Sequence, residues 1–335
     1  MDKEKDSILK DIVLSSRIRL ARNIDKIPFP NKISDEESEN IINKVKNIFS
    51  KNNHKFISLK DLDSNDINCL LEKNIISSKL ASNKDKSAVI LADNKHSIMI
   101  NEEDHIRIQS IEDGLNLEKA FEKANKIDDI IENNLEYAFD EKLGYLTACP
   151  TNIGTGLRAS IMIHLPALSM NNRMPGIFNA VSQVGMTVRG RYGEGSRALG
   201  NIYQISNQIT LGLEEKEIIN NLKAAVNQVI NEENLTRNKL MENSKYEIED
   251  KIYRSLGILK SAVLLNNVEC LNLLSSVRLG IEMSIIKDIK YETINKLILD
   301  TQPANLKNMY GKDITEKQVK YFRANMVKEE FNIVK

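Results

Sequence analysis

Apolar and polar residues alternate over residues 14–24 (LSSRIRLARNI), the period of a half-buried strand. Ser34 followed by Glu37 forms a capping box. The helix it opens carries Ile41, Ile42, Val45, Ile48 and Phe49 on one face. Strands are predicted at 87–92 and 97–100, on either side of the turn Asp93-Asn94-Lys95, and again at 106–111. The helical period runs over 117–137. Strand patterns at 145–149 and 160–165 flank a Gly-Thr-Gly turn, and those at 186–189 and 202–210 flank the loop RGRYGEGSRALGN. Strands joined by such short turns predict a largely antiparallel sheet backed by helices. Beyond Leu213 the texture changes. A long helix is predicted over 215–243, with Ile218, Ile219, Leu222, Val226, Val229 and Ile230 on one side, and only helical patterns follow. The expected architecture is α+β: a catalytic domain over 1–240 and a small all-α C-terminal domain over 241–335.

Composition removes several classes of function. The chain has 335 residues, 28% charged and 41% hydrophobic, with a formal net charge of zero. Bulk electrostatics therefore points neither to nucleic acid nor to an anionic membrane. The first residues, MDKEKDSILKDIV, are charged and do not read as a secretory signal. Three widely spaced cysteines, Cys69, Cys149 and Cys270, argue against a disulfide framework and for a reducing, cytoplasmic setting. Only 13 of the 47 basic residues are arginine. A chain that uses lysine by default reserves arginine for positions that need a planar, two-pronged donor.

Three polar clusters carry candidate chemistry. Arg17 and Arg19 share one face of the first strand and suit a polyphosphate. The run Glu102-Glu103-Asp104, with Arg107 beyond it, reads either as a solvated turn or as an acidic site. The loop from Arg189 through Arg191 to Gly195 carries Glu194 among glycines that permit closure over a ligand. The Gly154-Thr155-Gly156 turn is either an anion nest or a tight strand connection. No P-loop or dinucleotide fingerprint is present. Arginine forks with isolated carboxylates describe phosphoryl transfer from a nucleotide, with Mg2+ held through water, to a cationic acceptor. Cys149, on the lip of an arginine-rich glycine turn, is either a thiol of lowered pKa beside that acceptor or a half-buried free cysteine.

The segments CPTNIGTGLRAS, NEEDHIRIQS and SSRIRLAR resemble the signatures of the ATP:guanido phosphotransferases, the family of creatine and arginine kinases. LGYLTACPTNIGTGLRASIMIHLPAL and VRGRYGEGSRALGNIYQISNQITLG are similar to its bacterial protein-arginine kinases. The resemblance implies a phosphagen-kinase-like fold and ATP phosphates held by Arg17, Arg19, Arg107, Arg158 and Arg189. It extends the ATP site to the flanking residues Ser15, Ser16 and Ile18, Ala159, Ser160, Ile161 and Met162, and Gly190, Arg191, Tyr192 and Gly193. It makes Glu103 the catalytic carboxylate, Glu194 a second one on the closing loop, and Cys149 the reactive cysteine. Glu102 falls near Mg2+, through water. Asn74 stands where the family commonly has a nucleotide-side histidine. Thirteen residues precede Leu14, leaving no room for the helical domain of small-molecule phosphagen kinases, so a more open acceptor pocket is expected.

The expected activity is phosphorylation of protein arginine side chains with ATP and Mg2+. The alternatives are a kinase for free arginine or another small guanidine, and a non-catalytic phosphoarginine-binding adaptor. The resemblance further implies a zinc-binding activator protein and a Clp ATPase or protease as partners, and a role in the stress response. Leu271, Leu273, Leu274, Val277, Ile281, Ile285 and Ile286 give the tail an apolar face, which serves either a homodimer or packing within the chain. Relatives carry Arg-Asp-x-x-Arg-Ala in the tail, implying an allosteric phosphoarginine pocket. Here Val319 and Lys320 replace the first two positions, while Arg323 and Ala324 remain.

Overall fold

The computed structural model describes residues 12–50, 54–191 and 198–333. Strand β1 (Val13–Arg22) is the expected first strand, with Ile18 and Leu20 fully buried. The capping box forms: the Ser34 hydroxyl accepts from the Glu37 amide and the Glu37 carboxylate accepts from the Ser34 amide, opening α1 (Asp35–Ile48). There follow β2 (Lys55–Ser58), α2 (Ser64–Glu72), α3 (Ser78–Ser82) and the strands β3 (Ala88–Leu91), β4 (His96–Ile100) and β5 (Ile106–Asp113). Helix α4 (Leu117–Glu132) ends five residues before the predicted limit. Beyond it Tyr137 makes a bridge to Ile24 and donates its hydroxyl to Asp128, so the last apolar residue of the pattern is held by strand and side chain instead of by a helix.

The expected strand at 145–149 is reduced to β7 (Gly144–Tyr145), paired with β6 (Phe139–Asp140). The chain then bends because the Leu146 amide donates to the Ala138 carbonyl and the Ala148 amide to the Asp104 carboxylate. Strands β8 (Leu157–His164), β9 (Met186–Gly190) and β10 (Ile202–Asn207) complete the set, with α5 (Pro166–Met170) and α6 (Met174–Gln183) between β8 and β9. Strand β10 stops at Asn207 because that side chain replaces the ladder, bonding the Leu157 and Ile209 carbonyls and the Ala159 amide.

Eight strands form one sheet in the order β2-β3-β4-β5-β1-β8-β10-β9, and the β2–β3, β3–β4, β4–β5 and β5–β1 ladders are antiparallel. The chain divides into two compact units within β8 and β10. One comprises Ser15–Ile161 and Ser206–Ala224; the other takes the described residues of Met162–Ile205 and Ala225–Lys335. The predicted long helix is α7 (Glu215–Asn243), followed by α8 (Lys245–Ser261), α9 (Asn267–Glu282), α10 (Tyr291–Asp300), α11 (Pro303–Tyr310) and α12 (Glu316–Ile333). The α+β class and the helical tail are as expected. Among the described residues no helix is long and apolar enough to cross a membrane.

The tail's apolar positions lie in a core that also takes in Ile202, with Met162, Met170 and Leu199 packed against it. Leu271, Leu274, Val277 and Ile286 are buried among Ile252, Leu259, Ile294 and Val327, with Leu273, Ile281 and Ile285 packed against them. A fully buried charge network ties that unit together. The Glu282 carboxylate accepts from Arg278 at 2.6 Å and Arg237 at 2.7 Å, and lies 3.1 Å from Nδ1 of His164. Arg237 also binds Glu233, whose carboxylate accepts the first amides of α5. Burial opposes the Glu282 charge, but His164 and the two guanidiniums outweigh it and hold the carboxyl down to about 2.

Candidate active site

The first unit gathers four of the five predicted nucleotide arginines on one face of the sheet. Alternation along β1 places Arg17 and Arg19 opposite the buried Ile18 and Leu20. The β1–β5 register pairs Ala21 with Arg107, and cross-strand partners share a face, so Arg107 joins them. Along β8, Leu157, Ala159 and Ile161 are fully buried, which turns Arg158 and Ser160 to the other side. Arg17 Nε donates to Ser160 Oγ at 3.3 Å and Arg158 donates to Ser206 Oγ at 3.2 Å.

The four guanidiniums act on one another. Burial, and then the charges of Arg17, Arg107 and Arg158, push the Arg19 guanidinium well below its ordinary pKa, against the pull of Glu102. Its Nε is buried without a hydrogen-bond partner. Such a cluster is stabilised by a multiply charged anion.

The side chains of Ile18, Ala159 and Ile161 belong to the core and are not available to a ligand. Ser16 is also buried; its hydroxyl donates to the Gly114 carbonyl and accepts from the Asn116 amide. Ser15 is half-buried, and Met162 packs in the core of the second unit. Arg189 is exposed at the end of β9, with Gly190 and Arg191 after it, all in the second unit. Tyr192, Gly193 and Glu194 lie outside the described residues.

The acidic run is a built turn. Asn101 adopts φ +59°, which asparagine tolerates, and its side chain donates to Ser38 and to the Lys86 carbonyl. His105 closes the other end, accepting the Ile24 amide at Nδ1 and reaching the Pro28 carbonyl from Nε2; burial lowers its pKa, so the neutral ring donates from Nε2. Glu102 is buried and bonds Ser77, Arg107 and the Glu103 amide. Burial opposes its charge, but Arg107 and these donors prevail, and its pKa is lowered. Glu102 thus orients Arg107. Glu103, at the tip, is partly exposed, and its Oε1 lies 2.6 Å from Lys79 Nζ.

Asp104 sets the next segment in place. Its Oδ1 accepts from Asn23 Nδ2 and from the Ala148 amide, both at 2.7 Å, so the residues leading to Cys149 hang from the acidic turn. Burial raises the Asp104 pKa. Cys149 is half-exposed, with Sγ 3.1 Å from Thr151 Oγ1. The glycine turn beyond it is a packing device. A Cβ at Gly156 would meet the Ala21 carbonyl at 2.6 Å and Arg22 at 2.7 Å, and one at Gly154 would meet the Thr210 carbonyl at 2.4 Å. The Thr155 and Gly156 amides donate to the Thr210 and Asn152 carbonyls, so the tight-turn alternative applies to them. Buried Arg22 holds the turn: it pairs with Asp128 at 2.6 Å, donates to the Ala21 and Thr155 carbonyls and lies 3.6 Å over the Tyr145 ring.

Sequence reasoning missed Ser77, Lys79 and the Arg22–Asp128 pair, and the hold of Asp104 on the Ala148 amide, since each acts on a residue distant in the chain; the Ser77 N-cap ahead of Leu80 was the one local signal. Asn74 has φ +56° after α2 and its carbonyl accepts from Gln109, a backbone position that suits asparagine. Among the described residues no three His, Cys, Asp or Glu side chains are grouped to hold a metal ion.

A family model described as ATP:guanido phosphotransferase, C-terminal catalytic domain, matches residues 37–236, and one described as protein-arginine kinase McsB C-terminal domain matches residues 245–335. The chain is 58% identical over 328 residues to a protein-arginine kinase of Clostridium kluyveri, covering 96% of this chain and 95% of that protein. It is 57% identical to one of Clostridium acetobutylicum (95% and 96% covered) and 46% identical to one of Halothermothrix orenii (97% and 94%). Among solved structures it is similar to a lombricine kinase, with a TM-score of 0.60 and 28% identity over 69% of this chain and 68% of that one. Sheet, arginine cluster and these likenesses agree: the chain belongs to the ATP:guanido phosphotransferase family, among its protein-arginine kinases.

Proposed function

We propose that the chain transfers the γ-phosphoryl group of ATP to arginine side chains of proteins, and that Arg17, Arg19, Arg107 and Arg158 receive the nucleotide phosphates. One observation carries this reading: four guanidiniums share a sheet face at a cost to the charge of Arg19, in the same unit as the tip carboxylate Glu103. Mg2+ enters with the nucleotide as MgATP, held by phosphate oxygens and water; the engagement of Glu102 by Ser77 and Arg107 fits at most an outer role for that carboxylate.

The acceptor guanidinium has a pKa above about 12 and becomes a nucleophile only as a proton leaves. Glu103 accepts an N–H of that group, fixes its plane and takes the proton as nitrogen bonds to the γ-phosphorus. The bond from the γ-phosphorus to the β–γ bridging oxygen breaks, and ADP departs with the electron pair. The arginine cluster offsets the charge that moves onto the leaving phosphates. Cys149, half-exposed beside Thr151, is assigned by family resemblance as a further partner of the guanidinium. Glu194, with Arg189 and its neighbours to Gly193, is assigned to the same site by family resemblance.

The wider assignment extends this proposal. The catalytic domain covers 1–240, and 241–335 serves regulation and homodimerisation; exposed Val263, Leu264 and Val268 support the latter, since the apolar face that includes Leu271, Leu274, Val277 and Ile286 is covered within the unit. The protein works in the cytoplasm with a zinc-binding activator and a Clp-type protease in the stress response. The test is incubation with MgATP and a protein acceptor, followed by assay for acid-labile phosphate on arginine. Wild type is expected to label the protein, and Glu103→Gln to abolish transfer while binding ATP. Label on free arginine alone would favour the small-guanidine kinase, and ATP-independent capture of phosphoarginine without transfer would favour an adaptor.

A further inference from the structure

The segment around α3 is fastened to the acidic turn at successive points. Ser77 caps α3 by accepting the Leu80 amide and donates its hydroxyl to Glu102. Asn83 donates to the Asn101 carbonyl at 3.0 Å, and Ser87 holds the Leu80 and Asn83 carbonyls. This fastening sets the direction of one side chain between them. Lys79 reaches back to Glu103, with Nζ 2.6 Å from Oε1, although the lysine is 56% exposed and free to extend into water.

We propose that Lys79 is a resident cation of the guanidinium subsite, a gatekeeping residue that an incoming arginine side chain displaces from Glu103. The inference rests on the reading of Glu103 as the acceptor carboxylate. The hydrogen bond to Glu103 raises the Lys79 pKa against the opposing effect of burial, and the charges of Glu103, Glu102 and Cys149 add to it, so the ammonium lies in the field of the acidic turn.

An ammonium on Oε1 repels a second cation brought to the same carboxylate, so a guanidinium gains both oxygens only as Lys79 withdraws. A guanidinium has the advantage, since its planar fork can take both carboxylate oxygens while an ammonium is a point donor. An acceptor with a single ammonium, such as a lysine side chain, meets an equal competitor already in place. Lys79 therefore lowers the affinity of every acceptor by the same factor, so an ammonium acceptor, already the weaker binder, is the first to fall below useful occupancy. Exposure lets Lys79 leave at little cost, so turnover is not limited by its departure.

The experiment measures steady-state kinetics of wild type, Lys79→Met and Lys79→Arg with an arginine-containing peptide and MgATP. Lys79→Met is expected to lower the peptide KM about twofold to fivefold, the range of a partly exposed ion pair, with kcat and the ATP KM within twofold of wild type. Lys79→Arg tethers a forked cation at Glu103 and is expected to raise the peptide KM at least threefold. A peptide KM unchanged or raised in Lys79→Met overturns the inference. So does a fall in kcat at constant KM, which would make Lys79 a positioning residue for Glu103. A wild type with no activity on arginine removes the kinase reading together with this one; an active wild type whose KM ignores Lys79→Met removes this inference alone.

Discussion

Arg19→Met should make the protein more stable and a worse ATP binder. Same-face neighbours on a strand are about 7 Å apart, and two unit charges at that distance repel by about 2 kcal/mol at an effective dielectric of about 20. Arg17 is such a neighbour, and Arg107 and Arg158 add to it, while Glu102 and solvent screening subtract. Methionine keeps most of the apolar stem, so the net gain without nucleotide is about 1–3 kcal/mol. Losing a charged donor to phosphate costs about 1.5–3 kcal/mol, or roughly 10- to 100-fold in ATP affinity. Urea denaturation followed with and without MgATP reads both effects. At ATP equal to 100 times the wild-type Kd, wild type gains about 2.7 kcal/mol; a variant bound 30-fold more weakly gains about 0.9 kcal/mol. The variant therefore leads without ATP and loses most or all of that lead with it. A variant less stable than wild type without ATP, or one that gains as much from ATP, would refute the picture of mutually repelling arginines awaiting an anion.

Other perturbations address the supports. Arg22→Met leaves buried Asp128 without its cation and should cost about 3–5 kcal/mol in a denaturation midpoint, of which Arg22→Met/Asp128→Leu should restore at least half; a double variant as unstable as the single one contradicts the pairing argument. Glu282→Gln should cost about 3–5 kcal/mol near neutral pH by removing the carboxylate shared by Arg237 and Arg278. Because the folded carboxyl is held at about 2, its contribution is complete above the unfolded value of about 4.5 and is lost as pH falls from there toward 2; the deficit of the variant should shrink across that window in acid titrations followed by circular dichroism. Free phosphoarginine should not raise the kinase rate through the tail. Arg323 is buried and donates to the Thr301 and Leu265 carbonyls, and Val319 is buried beside the exposed Lys320. A dose-dependent increase lost in Arg323→Ala would refute this.

What the sequence disclosed depended on how far apart the cooperating residues stand. The capping box, the hairpin at 88–100 and α7 were legible because each is written within a few turns of chain, where alternation or a 3.6-residue period suffices. The arginines could be selected by type, since a lysine-rich chain keeps few of them, and alternation alone put Arg17 beside Arg19. That Arg107 and Arg158 join the same face follows from strand register and order, which local pattern does not encode. The strand expected at 145–149 failed for the same reason: its apolar run was sound, but a carboxylate more than forty residues away takes the Ala148 amide and bends the chain.

The acidic run shows how such distant contacts divide three adjacent carboxylates into three tasks. Glu102 is buried against Ser77 and Arg107 and orients that arginine, proposed above to meet phosphate; Asp104 is buried against Asn23 and Ala148 and carries the segment that ends at Cys149. Only Glu103 is left facing outward, with a lysine as its partner. A buried carboxylate that already accepts strong donors gains little from a further cation, whereas an exposed one can exchange its partner at small cost. On the proposed reading of Glu103, substrate exchange at this turn falls to its middle residue because the two neighbours are already occupied by buried partners.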